Sequence, residues 1–213
     1  MRITVFGAAG DVGRRVVAEA LTRGHEVTAV VRDLARADGV PAGATIRTGD
    51  ASNRSDVESL SAGQDLVITA TRPGVGRESE LPAVTAVLLA GLARTGVRLL
   101  VVGGASTLLL PGADGLTLHE SPDFPAELRA IAQACAEQLA LCRTETVAEW
   151  AYVSPPAELV PGVRTGVYRL GVDELLADAN GDSTISMEDF AVALLDEAER
   201  PAHRRIRFTV AAA

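Results

Sequence analysis

Seven residues near the start constrain this chain more than any others. They are Gly7-Ala8-Ala9-Gly10-Asp11-Val12-Gly13, set between a short apolar run, Ile3–Phe6, and a segment of helical apolar spacing, Val12–Arg23. Glycines in such a place permit a tight turn, close approach of the backbone to a ligand, and close packing of helix on strand. The helix N-terminus that follows offers unbonded N–H groups and the positive end of a helix dipole, a ready seat for phosphate. In a chain with 20 glycines the spacing alone says little; its position between strand and helix gives it value. The expected ligand is the pyrophosphate of a dinucleotide, held by Gly7, Ala9, Gly10, Asp11, Val12 and Gly13. Asp11 either points away from the phosphate or acts as a helix-terminal acid.

The rest of the chain repeats the strand-then-helix rhythm. Strands are expected at Ile3–Phe6, Glu26–Val31, Thr45–Thr48, Asp65–Thr69, Val97–Val102 and Val147–Val153, with helices at Val12–Arg23, Arg54–Leu60, Leu81–Thr95 and Pro125–Arg143. Val97–Val102 is almost continuously apolar, as a central parallel strand buried on both faces would be. A short strand at Tyr168–Leu170, a helix at Met187–Glu199 capped by Ser186 and Asp189, a strand at Arg205–Val210 and a tail at Ala211–Ala213 complete the reading. The pattern predicts an α/β fold: a doubly wound, Rossmann-type, mostly parallel sheet with helices on both faces. A length of 213 residues without an obvious linker suits a single domain, 1–213, whose substrate-facing part comes from 104–124 and 154–186.

Ligands of such sheets bind outside the carboxyl ends of the strands. Arg32 follows the second strand directly, where NAD-preferring chains carry an acid for the ribose hydroxyls. A cation there suits the ribose phosphate of NADP, with Arg36 as an assistant and Asp33 as a counter-argument. NADP(H) is therefore the preferred cofactor and NAD(H) the alternative. Asp50, with Ala51, is placed to accept from an adenine amino group. Thr69-Ala70-Thr71-Arg72 and Gly103-Gly104, followed by Ser106, should reach the same crevice.

Composition removes several classes. The formal charge is −8, which repels a phosphate backbone, so no nucleic acid partner is expected. No uninterrupted apolar run is long enough to span a membrane, and Met1–Gly7 lacks the pattern of a secretory signal, so a cytoplasmic protein is expected. Cys135 and Cys142 lie seven residues apart in one expected helix, about 10.5 Å along its axis, too far for a disulfide. Asp178, Asn180, Asp182, Thr184 and Asp189 imitate a calcium loop. Ser183 replaces the needed glycine and Asp189 the needed glutamate, so the segment reads as a polar turn and no metal is expected. A long exposed helix leaves a homodimer open.

At this point the chain resembles the atypical short-chain dehydrogenase/reductase-like proteins, in their NAD(P)H-binding or NmrA-like group. The resemblance rests on the glycine motif, Arg32, Gly103-Gly104-Ala105 and Ser154-Pro155-Pro156, together with Pro161–Gly166 and Ile185–Ala191. It covers nearly the whole chain and adds Ser154 and Pro155 to the expected cofactor contacts. It implies either a reductase or a redox-sensing regulator without catalysis; a nucleotide-sugar or isomerase-type activity ranks below both. Reductases of the wider superfamily use a tyrosine followed three residues later by a lysine. Here the only tyrosines are Tyr152 and Tyr168, neither has that partner, and all 20 basic residues are arginine. Hydride transfer to a small acceptor such as a flavin or quinone survives that loss, because it needs mainly proximity and orientation. The candidate catalytic side chains that remain are Ser106 after the fifth strand, His119 in the long connection and Tyr152 on the sixth strand.

Overall fold

A computed structural model describes residues 1–213. Its strands are β1 (Arg2–Phe6), β2 (Glu26–Val31), β3 (Thr45–Thr48), β4 (Leu66–Thr69), β5 (Arg98–Val102), β6 (Trp150–Ser154), β7 (Glu158–Val160), β8 (Tyr168–Gly171), β9 (Thr184–Ser186) and β10 (Ile206–Ala212). Its α-helices are α1 (Asp11–Thr22), α2 (Arg54–Ser61), α3 (Glu80–Thr95), α4 (Arg129–Thr144) and α5 (Met187–Glu199). Eight strands form one sheet in the order β3-β2-β1-β4-β5-β6-β10-β8, and β7 pairs with β9 in a separate ribbon. Within the large sheet every pairing is parallel except β10 with β8. The fold is thus the doubly wound α/β sheet that the sequence predicts. The order reverses between β1 and β4, which opens a crevice at the carboxyl ends of those strands.

The two-residue period of each strand sorts its side chains onto two cores. Ile3 and Val5 of β1, Leu66 and Ile68 of β4, Leu100 of β5, and Ala151 and Val153 of β6 face α1 and α5. Phe6, Val67, Leu99, Val101, Trp150 and Tyr152 face the other way, toward α2, α3 and α4. α5 is buried on nearly every side, from Phe190 to Leu195, and packs against both the sheet and α1 beside it. No helix is long and apolar enough to cross a membrane.

The differences from the expected elements have local causes. The helix expected from Pro125 begins at Arg129, after a single 3-10 turn at Ala126–Leu128. The sixth strand starts at Trp150 because the Glu145 carboxylate accepts from the N–H groups of Val147 and Ala148, at 2.5 and 3.0 Å, and turns the chain there. β10 continues to Ala212, where pairing with Tyr168 of β8 orders what composition marks as a tail. β7 and β9 are too short to show a period. Asp178 accepts from the N–H groups of Asn180 and Asp182, at 2.8 and 2.9 Å, and makes a polar turn.

Two polar clusters tie this frame together. Arg164 grips buried Glu19 of α1 through two bonds of 2.7 and 2.8 Å, and Asp189 accepts from the N–H groups of Thr165 and Gly166, so 161–167 is strapped across α1 and α5. At the opposite end of the sheet from the crevice, Glu197 of α5 is sealed between Arg98, which pairs with it, and His203, whose Nδ1 lies at 2.7 Å. Burial opposes ionisation of Glu197. Hydrogen bonds from His203 and Arg98 outweigh that and hold its carboxyl below the ordinary value of 4.5.

A carboxylate depressed in the folded state stabilises it fully above the unfolded value and loses that contribution as pH falls through the folded one. Glu197→Gln leaves buried Arg98 without its counter-charge and is expected to cost about 3 kcal/mol at neutral pH. The variant should also lose less stability than the natural chain as pH falls below the ordinary glutamate value of 4.5. Denaturant unfolding at a series of pH values measures both effects, and parallel acid limbs for the two proteins would contradict the assignment.

Candidate functional site

The chain turns out of β1 at Gly7, whose φ of +79° is one that side chains rarely adopt. A Cβ on Gly7 would also sit 2.6 Å from the Ala70 carbonyl oxygen that follows β4. Gly13, in the first turn of α1, packs against the same turn: a Cβ there would lie 2.0 Å from the Gly7 oxygen. These contacts seat the N-terminus of α1 directly on the crevice. Gly10 caps the helix with no side chain, and Arg14 N is the first amide to bond back, to Gly10 O at 3.0 Å. The N–H groups of Asp11, Val12 and Gly13 therefore point out of the helix without an acceptor.

A cavity of about 630 Å³ lies over this turn. Of the expected cofactor contacts, Gly7, Ala9, Gly10, Asp11, Val12, Arg32, Asp50, Ala51, Ala70, Thr71, Arg72, Gly103, Gly104 and Pro155 line it. Three do not. Gly13 packs behind the turn as described. Thr69 is buried and bonds to the hydroxyl of Thr71 at 3.0 Å. Ser154 is fully buried at its pairing with Thr209, and its hydroxyl has no partner.

The charges lining this cavity are uneven. Asp11 pairs with Arg14 at 2.7 Å, and Glu80 pairs with Arg77 at 2.7 Å. Burial opposes ionisation of Asp50, but bonds from the Ser52 N–H and hydroxyl, with the Arg32 and Arg77 charges, hold its carboxyl below the ordinary aspartate value. Arg32, Arg36 and Arg72 line the cavity, and their guanidinium groups engage no acceptor in the protein. Asp33 is turned elsewhere: its side chain accepts from Ala35 N at 2.9 Å and caps the 3-10 turn Leu34–Gly39 that carries Arg36. Free amides and unpaired guanidinium groups in one cavity form a set that could hold a phosphorylated nucleotide. No group of three or more His, Cys, Asp or Glu is placed to hold a metal ion.

Away from the arginines the lining becomes apolar. Leu81 and Val84 of α3, Leu118, Phe124 and Leu128 of the long connection, and Ile131 of α4 form this wall, with Pro155, Pro156 and Leu159 opposite. Composition could not reveal these residues, because they come from four separate stretches. Their only advance signal is the length of the connection after β5, whose 3-10 turn Leu118–Glu120 and residue Phe124 fold back over the sheet.

The three candidate catalytic side chains all attach to one loop, Gly103–Thr107. Ser106 lines the cavity but is only 6% exposed, and its hydroxyl donates to the Ala132 carbonyl at 3.0 Å. His119 lies outside the lining; its Nδ1 is 2.9 Å from the Ser106 carbonyl, which can only accept, so Nδ1 carries the proton. Tyr152 is 1% exposed and also outside the lining, with its hydroxyl 3.0 Å from the Gly104 N–H. Burial pushes this phenol well above the ordinary tyrosine range. Cys135, which lines the cavity beside Gly104, is likewise pushed up, to about 11, so its thiol keeps its proton.

Residues 7–201 match the model of a family described as NAD(P)H-binding. The chain is 37% identical to the uncharacterized protein YwnB of Bacillus subtilis over 218 residues, covering 99% of this chain and 98% of that one. A solved structure from Bacteroides thetaiotaomicron, described as a proposed epimerase, superposes with a TM-score of 0.91 at 38% identity, over 99% of this chain and 96% of that one. A structure from Streptococcus pneumoniae, described as a proposed NADH-flavin reductase, superposes with a TM-score of 0.87 at 33% identity, over all of both chains. With its glycine turn, switch-point cavity and near-complete family match, this chain belongs to the NAD(P)H-binding family of atypical short-chain dehydrogenase/reductase-like proteins.

Proposed function

We propose that this protein is an NADPH-dependent oxidoreductase that delivers hydride to a small, largely apolar acceptor such as a flavin or a quinone. One observation carries the reading: a single cavity runs from unpaired Arg32 and Arg36 past the free amides of α1 to an apolar wall. The amides of Asp11 and Val12 would hold the pyrophosphate, and Arg32 and Arg36 the additional ribose phosphate. Asp50, kept ionised, would accept from the adenine. Bound NADPH supplies a hydride from its nicotinamide.

The apolar wall formed by Leu118, Phe124, Leu128 and Ile131 would orient the acceptor and exclude water from its face. Apart from the Cys135 thiol, which burial makes a weak acid, no side chain in the lining is a free acid on that side. Tyr152 is sealed away, Ser106 donates to Ala132, and the chain has no lysine. The chain's contribution is therefore placement of the two reactants, and the acceptor takes its additional proton from water. This favours acceptors that tolerate a two-electron reduction without an enzymic proton donor. The name of the Streptococcus pneumoniae relative points toward the same acceptor class.

Titration calorimetry should show NADPH binding more tightly than NADH. Arg32→Ser should weaken NADPH by about tenfold, the worth of one charge-assisted contact, and leave NADH unchanged. Equal affinity for the two cofactors would remove the basis for the phosphate assignment. In steady-state assays NADPH should be oxidised by flavins or quinones and not by simple ketones. Tight NADPH binding with no turnover across a broad acceptor panel would instead identify a nucleotide sensor.

A further inference from the structure

Side chains that look catalytic in the sequence converge on one loop, and one of them completes a buried chain of hydrogen bonds. The Thr85 hydroxyl of α3 donates to the Leu81 carbonyl at 2.9 Å. Gln138 Nε2 of α4 donates to the Thr85 oxygen at 3.0 Å. The Tyr152 hydroxyl of β6 donates to Gln138 Oε1 at 3.2 Å, with the Cys135 carbonyl as a second acceptor at 3.3 Å. Gly104 N–H donates to the Tyr152 oxygen at 3.0 Å. Each member donates one bond and accepts one, so the phenolic proton is committed to Gln138 and the Cys135 carbonyl of α4. Thr85, Gln138 and Tyr152 are each no more than 2% exposed, so the bonds among them are shielded from water.

The end of the chain is what reaches the cavity. Gly103 lies on the Tyr152 ring so closely that a Cβ would come within 2.0 Å of it, and a Cβ on Gly104 would come within 2.8 Å of Cys135 Sγ. The next two N–H groups, of Ala105 and Ser106, have no acceptor in the protein, and both residues line the cavity between its charged and apolar ends. We propose that Tyr152 is a positioning residue, which through the Gly104 amide fixes the Gly103–Ser106 backbone as the surface where cofactor and acceptor meet. In that role it acts on the rate of hydride transfer more than on cofactor affinity, since most of the proposed cofactor contacts, the amides of α1 and Arg32 among them, lie on other elements. The inference rests on the oxidoreductase reading for its kinetic consequence and on geometry alone for the state of the loop.

Tyr152→Phe keeps the ring that Gly103 packs on and removes only the hydroxyl. It is expected to lower kcat about tenfold while the NADPH Kd stays within twofold, because a misplaced reacting surface costs rate before it costs binding. Amide hydrogen exchange should quicken in 103–107 and nowhere else. Glu197→Gln, destabilised at the far end of the sheet, should keep the natural kcat and separate positioning from general loss of stability. Unchanged kcat in Tyr152→Phe, or a kcat loss matched by Glu197→Gln, would overturn the proposal. Should the natural protein turn over no acceptor, the oxidoreductase reading fails on its own. Exchange then decides: acceleration confined to 103–107 sustains the clamp, and unchanged exchange refutes it.

Discussion

The close approach of α1 to β1 is the contact on which the rest depends. With Gly13 against the Gly7 carbonyl and Gly7 against Ala70, the first turn of the helix lies at the point where the strand order reverses. Any side chain at either position would push the helix away and move its free amides off the crevice. Everything downstream inherits that seat. Arg32 leaves β2 beside it, Arg72 follows β4, and the Gly103 loop leaves β5 on its other side. Three parallel strands thus deliver three loops to one place because the sheet ends there, and local propensity in the loops themselves has little part in it.

Much of this was legible because it follows from local patterns. The glycine spacing, the two-residue period of β1, β4 and β5 and the capped start of α5 each occupy a short window, and the elements they predict stand within a few residues of their places. β7 and β9 escaped because three-residue strands have no period to read, and their partners lie about 26 residues apart in sequence. The hydrogen-bond partners of Ser106, His119 and Tyr152 escaped for a related reason. A hydroxyl or imidazole at the end of a central strand is equally consistent with chemistry and with architecture. The distinction lies in partners 26, 13 and 48 residues away, which no local window contains. Asp33 shows the converse: its acidic charge counted against NADP, but the carboxylate caps its own turn and leaves the lining to Arg32 and Arg36.

The charge pattern explains how an acidic protein can favour an anionic ligand. With a net charge of −8 the surface as a whole repels phosphate, yet most arginines are paired with carboxylates or carbonyls, as Arg23 is with Glu19, Asp196 and Glu199. Such pairs contribute little field at a distance. Arg32, Arg36 and Arg72 have no such partner, so their charges act on whatever enters the cavity. Under the proposed function, selectivity for the phosphorylated cofactor would rest on these few uncompensated cations, and total charge would govern only solubility and weak encounters.

The same economy of polar groups governs the acceptor side. A superfamily reductase with a tyrosine and a lysine lowers the barrier by giving a proton as hydride arrives. This chain buries its Tyr152 in a chain of hydrogen bonds and contains no lysine, so the proposed reaction draws on neither. What remains available is geometry: a fixed backbone, two unbonded amides and an apolar wall. Placement alone can supply a large part of a barrier when the reacting groups need little electronic help, as a flavin or quinone does. Rigidity of the Gly103–Ser106 loop then becomes a chemical requirement. A buried three-residue polar chain, conformationally costly to assemble and fully satisfied once made, is a physical means of meeting it.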